Sequence, residues 1–317
     1  MSLRTVIITG ANSGIGKAAA LRFAKAGHRV IMACRDPEKS RTAFDEISSD
    51  ARPGQVQLMG VDMSSFASIR AFCEAFTGLN PGLDVLIHNA AYFSHGEKYR
   101  LSPDGIELTF ATNVAGPFLM TRLLQDSLKK SEDPRILNAG SNIIRHFFSP
   151  DKEIVFDNLR GEVNPKINHT VYRAYRDSKM AMLMMTFRMA EEFRDEGISV
   201  NALQINGARM SKETLAKFAL PWRMIAWVQN LFFPPASVMA EHYFQLCTSD
   251  RYRGVTGKFF NHKLAIMTPA GPKPGWRDLT GSGTYPAYAR RQDISDKIWS
   301  LCAEWSHENT AERWDLS

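Results

Sequence analysis

The segment VYRAYRDSKMAM, residues 171 to 182, sets two tyrosines each four residues ahead of a cation: Tyr172 before Arg176, and Tyr175 before Lys179. Side chains four apart share one face of a helix, so each phenol would stand beside a positive charge. A free phenol titrates near ~10 and keeps its proton at neutral pH. A neighbouring cation favours the phenolate, which prepares a tyrosine to exchange a proton with a substrate oxygen. The two pairs are not equivalent. Arginine keeps its charge throughout and cannot join a proton relay, whereas a lysine can. The pattern makes Tyr175 with Lys179 the better candidate for the acid/base, in which case Tyr172 would line a substrate pocket or pack in the core.

A second constellation lies near the N-terminus. TGANSGIGKAAALRFAKAG follows the apolar run TVIIT and places glycines at 10, 14 and 16 ahead of a helical pattern that ends at Gly27. Gly10 permits a sharp turn. Gly14 and Gly16 let backbone amides and a helix N-terminus approach a pyrophosphate, whose charge the helix dipole favours. A strand before and a helix after are the context a dinucleotide site requires. The second strand ends VIMACRDPEK, where NAD-preferring chains commonly place an acid for the ribose 2′-hydroxyl. Cys34 stands there instead, with Arg35 next, and Asp36 one step on opens the turn before Pro37. A planar guanidinium grips a 2′-phosphate, so NADPH/NADP+ is the expected cofactor, with Arg35 as its selector.

The elements that must hold these residues alternate strictly. TVIIT, RVIMAC, VQLMGV, LDVLIH, RILNA, SVNALQI and GKFF read as strands, separated by helical patterns at about 14–26, 37–48, 65–77 and 103–130 and by the helix that opens on the two tyrosines. This predicts an α/β fold: a Rossmann-like, doubly wound parallel sheet of about seven strands with helices on both faces. One domain over 1–262 is expected, with a lid segment at about 208–245. A C-terminal extension over 263–317, turn-rich and then amphipathic at DISDKIWSLCAEW, is expected to pack on the same domain.

Together, TGANSGIG, VDM at 61–63, HNAA at 88–91, TNVAGPF at 112–118, NAGS at 138–141 and YRDSK at 175–179 resemble, in order, the short-chain dehydrogenase/reductase family over residues 3 to about 262. The long interval from Ser141 to Tyr175, with VIMACRD, NAAYF, LKKS and AYRDSK, is similar to the branch of retinol dehydrogenases, WW-domain oxidoreductases and protochlorophyllide reductase. The resemblance implies a catalytic group of Asn113, Ser141, Tyr175 and Lys179. It implies cofactor contacts from Gly10, Asn12, Ser13, Gly14, Ile15 and Gly16, from Asp62 and Met63 at the adenine, and from Asn89 and Ala90 at the sheet centre. Tyr175, Lys179, Gly207 and Ser211 would reach the nicotinamide half. In such a site Ser141 donates a hydrogen bond to the substrate oxygen, Tyr175 gives the proton, and Asn113 helps hold a water linking the lysine to solvent. One departure stands out: NGARMS at 206–211 replaces the family's usual proline–glycine, so the corner at Asn206, without proline's fixed φ, is expected to be more mobile.

Between the sixth and seventh strands, aromatic residues including Trp222 and Trp227 imply a pocket for a bulky hydrophobic or aromatic small molecule. His146, beside Phe147 and Phe148, is a further candidate to face it, as is Tyr172. The expected activity is an NADPH-dependent carbonyl reductase or alcohol dehydrogenase. Reduction of a conjugated carbon–carbon double bond and non-catalytic NADPH sensing are the alternatives. The Met-rich run KMAMLMMTFRM fits either core or a subunit interface, the latter implying a homodimer. A net charge of +6 from 39 basic and 33 acidic residues is scattered, which argues against a nucleic-acid partner. Four separate cysteines suit reduced, buried thiols and a cytoplasmic setting. No histidine pair has metal spacing, so no metal is expected. The chain enters its first strand within a few residues and carries no apolar run long enough for a transmembrane segment.

Overall fold

A computed structural model describes residues 3–80, 82–93, 98–161, 170–207, 227 and 233–307. Seven strands, β1 (Thr5–Thr9), β2 (Arg29–Cys34), β3 (Val56–Gly60), β4 (Val85–His88), β5 (Arg135–Ser141), β6 (Ser199–Ile205) and β7 (Lys258–Phe260), form one parallel sheet. Their spatial order is 3-2-1-4-5-6-7. Because β1 pairs with β2 on one side and β4 on the other, the chain's winding reverses between β1 and β4 and opens a crevice at their carboxyl ends.

The strands are apolar at nearly every position because both faces are covered. Ile7, Ile31 and Leu86 point into one core, against α3 (Phe66–Leu79), α5 (Gly116–Leu128) and α6 (Val171–Glu192). Val6, Ile8, Met32 and Ile87 point into the other, against α1 (Gly14–Lys25), α2 (Pro37–Ser49) and a helix at Ala236–Thr248. A short turn of helix, α4 (Leu108–Phe110), and a π-helical turn over Ala111–Ala115 precede α5. The Met-rich run is core: Met180, Met184, Met185 and Met189 are fully buried within the single chain. All four cysteines are buried and unbridged.

The helix over Ala236–Thr248, α7, falls partly inside the stretch expected to act as a lid, yet Met239, Tyr243 and Phe244 lie in the core. Residues 208–226 and 228–232, including Trp222 and Ser211, lie outside the described residues. In the C-terminal extension, the turn-rich part contains a two-residue parallel pair, β8 (Thr268–Pro269) with β9 (Thr284–Tyr285), around the short α8 (Trp276–Thr280). The amphipathic helix forms as α9 (Gln292–Trp305) and inserts Trp299 edge-on against Phe118 of α5, ring centroids 5.0 Å apart. Truncating such a ring leaves a cavity. Trp299→Ala is expected to cost about 3–5 kcal/mol in urea unfolding, a loss that would be absent if α9 merely rested on the surface. Among the described residues no helix is long and apolar enough to cross a membrane.

Candidate active site

The crevice has two joined halves. The first, about 540 Å³, is lined by Gly10, Asn12, Ser13, Arg35, Asp62, Met63, Asn89 and Ala90, with Lys39 and Tyr92 beside them. The second, about 310 Å³, is lined by Ile15, Ser141, Asn142, Tyr175, Lys179, Asn206 and Gly207. Asn89 and Ala91 line both. Of the predicted glycine-turn residues, Gly10, Asn12 and Ser13 thus line one half of the groove, while Ile15 lines the other with Tyr175 and Lys179.

Local chemistry explains the first half. Gly10 and Gly14 sit at φ +66° and +54°, a region that side chains resist. A Cβ at Gly16 would collide with the Gly10 carbonyl oxygen and meet the Asn89 amide nitrogen at 2.5 Å. Ser13 caps α1 without a side-chain bond to the helix, and no acid stands in the first turn, so the helix N-terminus faces the groove uncompensated. Asn89 Nδ2 donates to the carbonyls of Thr9 at 3.0 Å and Gly10 at 3.3 Å, tying β4 to the glycine turn. Thr9, which nothing in the sequence singles out, accepts at its hydroxyl from the backbone N–H of both Asn89 and Ala90. Asp62 Oδ1 accepts from the backbone and hydroxyl of Ser64, which fixes the carboxylate at the rim.

The 34–39 turn has the expected form. Asp36 caps α2 by accepting from the Lys39 N–H, and its carboxylate pairs with Lys39 Nζ at 2.9 Å. Arg35 is exposed and lines the groove, and Lys39 adds a second cation that sequence reasoning missed. Lys17 pairs instead with Glu46 on the outer surface.

At the reacting end, α6 starts at Thr170, whose hydroxyl accepts from the Arg173 N–H. Tyr175 and Lys179 fall one turn apart facing β5, which delivers Ser141 at its carboxyl end. Lys179 Nζ donates to the Ala139 carbonyl at 2.8 Å and lies 5.6 Å from the Tyr175 ring centroid. Asn113, on the π-helical turn, accepts from the Tyr92 N–H at 2.7 Å and donates to the Tyr92 carbonyl and to Ser178 Oγ. The next residue, Phe93, lays its ring over that of Tyr175 with centroids 4.4 Å apart. Its sequence signal is its place as the second of two aromatics behind the HNAA motif.

The electrostatics reverse one expectation. Burial pushes the Tyr175 phenol above its ordinary value, and the Ser141 hydroxyl offsets this only in part. Burial also brings the Lys179 ammonium down to about 8. Both groups are desolvated, and burial disfavours the charged form of each.

The competing tyrosine is placed differently. Arg176 pairs with Asp177, Nε to Oδ1 at 2.7 Å, and lies over the Phe147 ring. Tyr172 is 45% exposed, so it is not core, and its hydroxyl bonds His146 Nε2 at 2.7 Å. Neither Tyr172 nor His146 lines the half that holds Tyr175. Trp227 is 57% exposed. Among the described residues no group of three His, Cys, Asp or Glu is placed to hold a metal ion.

Residues 4–147 match the family model for short chain dehydrogenases. Over 303 residues the chain is 34% identical to retinol dehydrogenase 12 of Mus musculus, covering 95% of this chain and 85% of that one. The chain belongs to the short-chain dehydrogenase/reductase family. Retinol dehydrogenase 13 of Mus musculus is 33% identical over 261 residues, 81% of this short-chain dehydrogenase/reductase and 75% of the relative. The fold matches a short chain dehydrogenase from Shigella flexneri complexed with NADP, with a TM-score of 0.62 at 22% identity over 82% of this chain and 97% of the other.

Proposed function

We propose that this short-chain dehydrogenase/reductase moves hydride between NADP(H) and the carbonyl or hydroxyl of a bulky hydrophobic substrate, with Tyr175 as its acid/base. The observation that carries the reading is the meeting of Tyr175, Ser141 and Lys179 at one end of a groove whose other end is a glycine turn. The residues fit a dinucleotide: Gly10, Asn12 and Ser13 line the groove, the close approach at Gly16 packs α1 against the glycine turn, and the α1 N-terminus is left for a phosphate.

When bound, the nicotinamide supplies or removes the hydride at the substrate carbon. The remaining work falls to side chains. Ser141 Oγ donates to the oxygen on which charge develops. Tyr175 gives that oxygen its phenolic proton in reduction and recovers it in oxidation. Lys179, titrating near 8, is able to return a proton close to neutral pH. Asn113 holds the Tyr92 backbone and so keeps the Phe93 ring over the phenol, where it excludes water. A phenol pushed up by burial stays protonated at pH 7, which suits the reductive direction.

Arg35 and Lys39 support the choice of NADP(H), since Asp36 is already committed to Lys39 and to the α2 cap. Charge-assisted contacts are worth about 1.5–3 kcal/mol. Arg35→Ala is therefore expected to weaken NADPH roughly tenfold or more and NADH by under about twofold, read by titrating each cofactor. Equal weakening of both would remove the 2′-phosphate assignment. The retinol dehydrogenases among the relatives are named for an apolar polyene alcohol, which supports a substrate of that character. Following NADPH absorbance with a panel of retinoid, long-chain and aryl aldehydes and ketones tests the reading. Loss of signal with none of them, in protein that binds NADPH, would overturn it.

A further inference from the structure

At the corner where the family's usual proline is replaced, Asn206 is held by its side chain. Gln204 Nε2 donates to Asn206 Oδ1 at 2.5 Å, and Asn206 Nδ2 stands 2.9 Å from His262 Nδ1. The expected mobility of this corner therefore meets a substitute: two hydrogen bonds act where proline's ring would have acted. Asn206 and Gly207 both line the half of the groove that contains Tyr175 and Lys179. Behind them, Gly207 at φ +133° leaves no room for a Cβ against the Phe233 ring.

The imidazole is itself firmly presented. It belongs to a tight turn after β7 in which Asn261 Oδ1 accepts from the Lys263 and Ala265 N–H groups, and Asn261 Nδ2 donates to the Ser282 carbonyl. Leu264 is forced to φ +60°, a conformation a leucine adopts only when its surroundings impose it. A side chain on a turn fixed in this way is built to stay in place.

The amide chain is directional. With Gln204 donating to the Asn206 oxygen, the Asn206 NH2 must donate to His262 Nδ1, which demands a neutral ring carrying its proton on Nε2. A protonated ring bears hydrogen on both nitrogens and faces the Asn206 NH2 donor to donor. We propose that His262 is a positioning residue for the nicotinamide half of the groove: as a neutral acceptor it fixes Asn206, and its protonation breaks the chain and loosens dinucleotide binding. The inference rests on the functional reading given above. Burial first, and then Lys263, hold the imidazole below its ordinary value, so it is neutral at pH 7. The other titratable groups facing it are Lys263 on its own turn and His242 on α7, which has Glu241 beside it. From α6, Lys179 lines the same half but titrates near 8, above the window concerned.

The test uses the full chain, with NADP+ as probe, and measures its dissociation constant and the thermal upshift it produces from pH 5.5 to 8. His262→Gln supplies an amide oxygen as a non-titrating acceptor; His262→Ala supplies none. The ligand's own phosphate titrates in this range, so the reading is the ratio of each variant to the unaltered protein at the same pH. At pH 7.5 the glutamine variant is expected to bind within about twofold of the unaltered protein and the alanine variant several-fold more weakly. At pH 5.5 the unaltered protein is expected to fall below the glutamine variant. Nitrogen NMR of the free protein adds a readout independent of cofactor, with His262 expected as the Nε2–H tautomer at pH 7.5. Constant ratios across pH, or an alanine variant that binds like the glutamine one, would overturn the role of His262. If the unaltered protein binds neither NADP+ nor NAD+ at any pH, the functional reading of the groove falls and this inference falls with it.

Discussion

Tyr175→Phe is expected to lower turnover by roughly 10²–10⁴-fold, the range that a positioned proton donor contributes, while NADPH affinity changes little. The substitution keeps the ring that packs against Phe93 at 4.4 Å and removes only the hydroxyl beside Ser141. Folding should therefore survive, and the loss should fall on kcat. Tyr172→Phe is the control, because it removes an equally good phenol one turn earlier on the same helix. Tyr172 stands exposed in the first turn of α6 with its hydroxyl bonded to His146, and its would-be cation is paired with Asp177. Most activity should remain. If instead the Tyr172 variant were the inactive one, the assignment of the two tyrosines would be reversed.

That contrast also shows where the sequence was readable. Both tyrosines have a cation four residues on, so spacing alone treats them alike. The identity of the cation begins to separate them, and tertiary contact completes it: β5 brings Ser141 and the Ala139 carbonyl to Tyr175 and Lys179, whereas Arg176 pairs with Asp177. The sheet was legible because Val6, Ile7 and Ile8 must each be covered on one face or the other, which a run of apolar residues announces. The glycine turn was legible because a backbone at positive φ and a carbonyl packed against Gly16 leave few residue choices. Phe93, Thr9 and His262 were not. Each acts through contacts with residues far along the chain, and neither periodicity nor local turn chemistry records such contacts. The sign of the Tyr175 shift was misjudged for a related reason. A sequence shows which charges are near, but not how much water has been removed from around them.

The same desolvation makes Lys179 costly to the fold. Bringing a lysine from 10.5 to about 8 corresponds to on the order of 3 kcal/mol held against the folded state while the group is charged. The sign follows from proton counting. Below pH 8 both states carry the proton and the penalty is complete. Between about 8 and 10.5 the unfolded chain holds a proton that the folded one has released, so stability rises with pH across that window. Lys179→Met keeps the length and removes the charge, although the Ala139 carbonyl then loses its donor, at about 1–3 kcal/mol. The variant is thus expected to lose at least roughly a hundredfold in turnover, yet to be no less stable than the unaltered protein in urea at pH 7. By pH 9.5 its relative standing should drop, because only the unaltered chain gains stability on the way. A stability difference between the two that stays constant from pH 7 to 9.5 would show that the ammonium is not strained by burial, and that Lys179 reaches its position without cost to the fold.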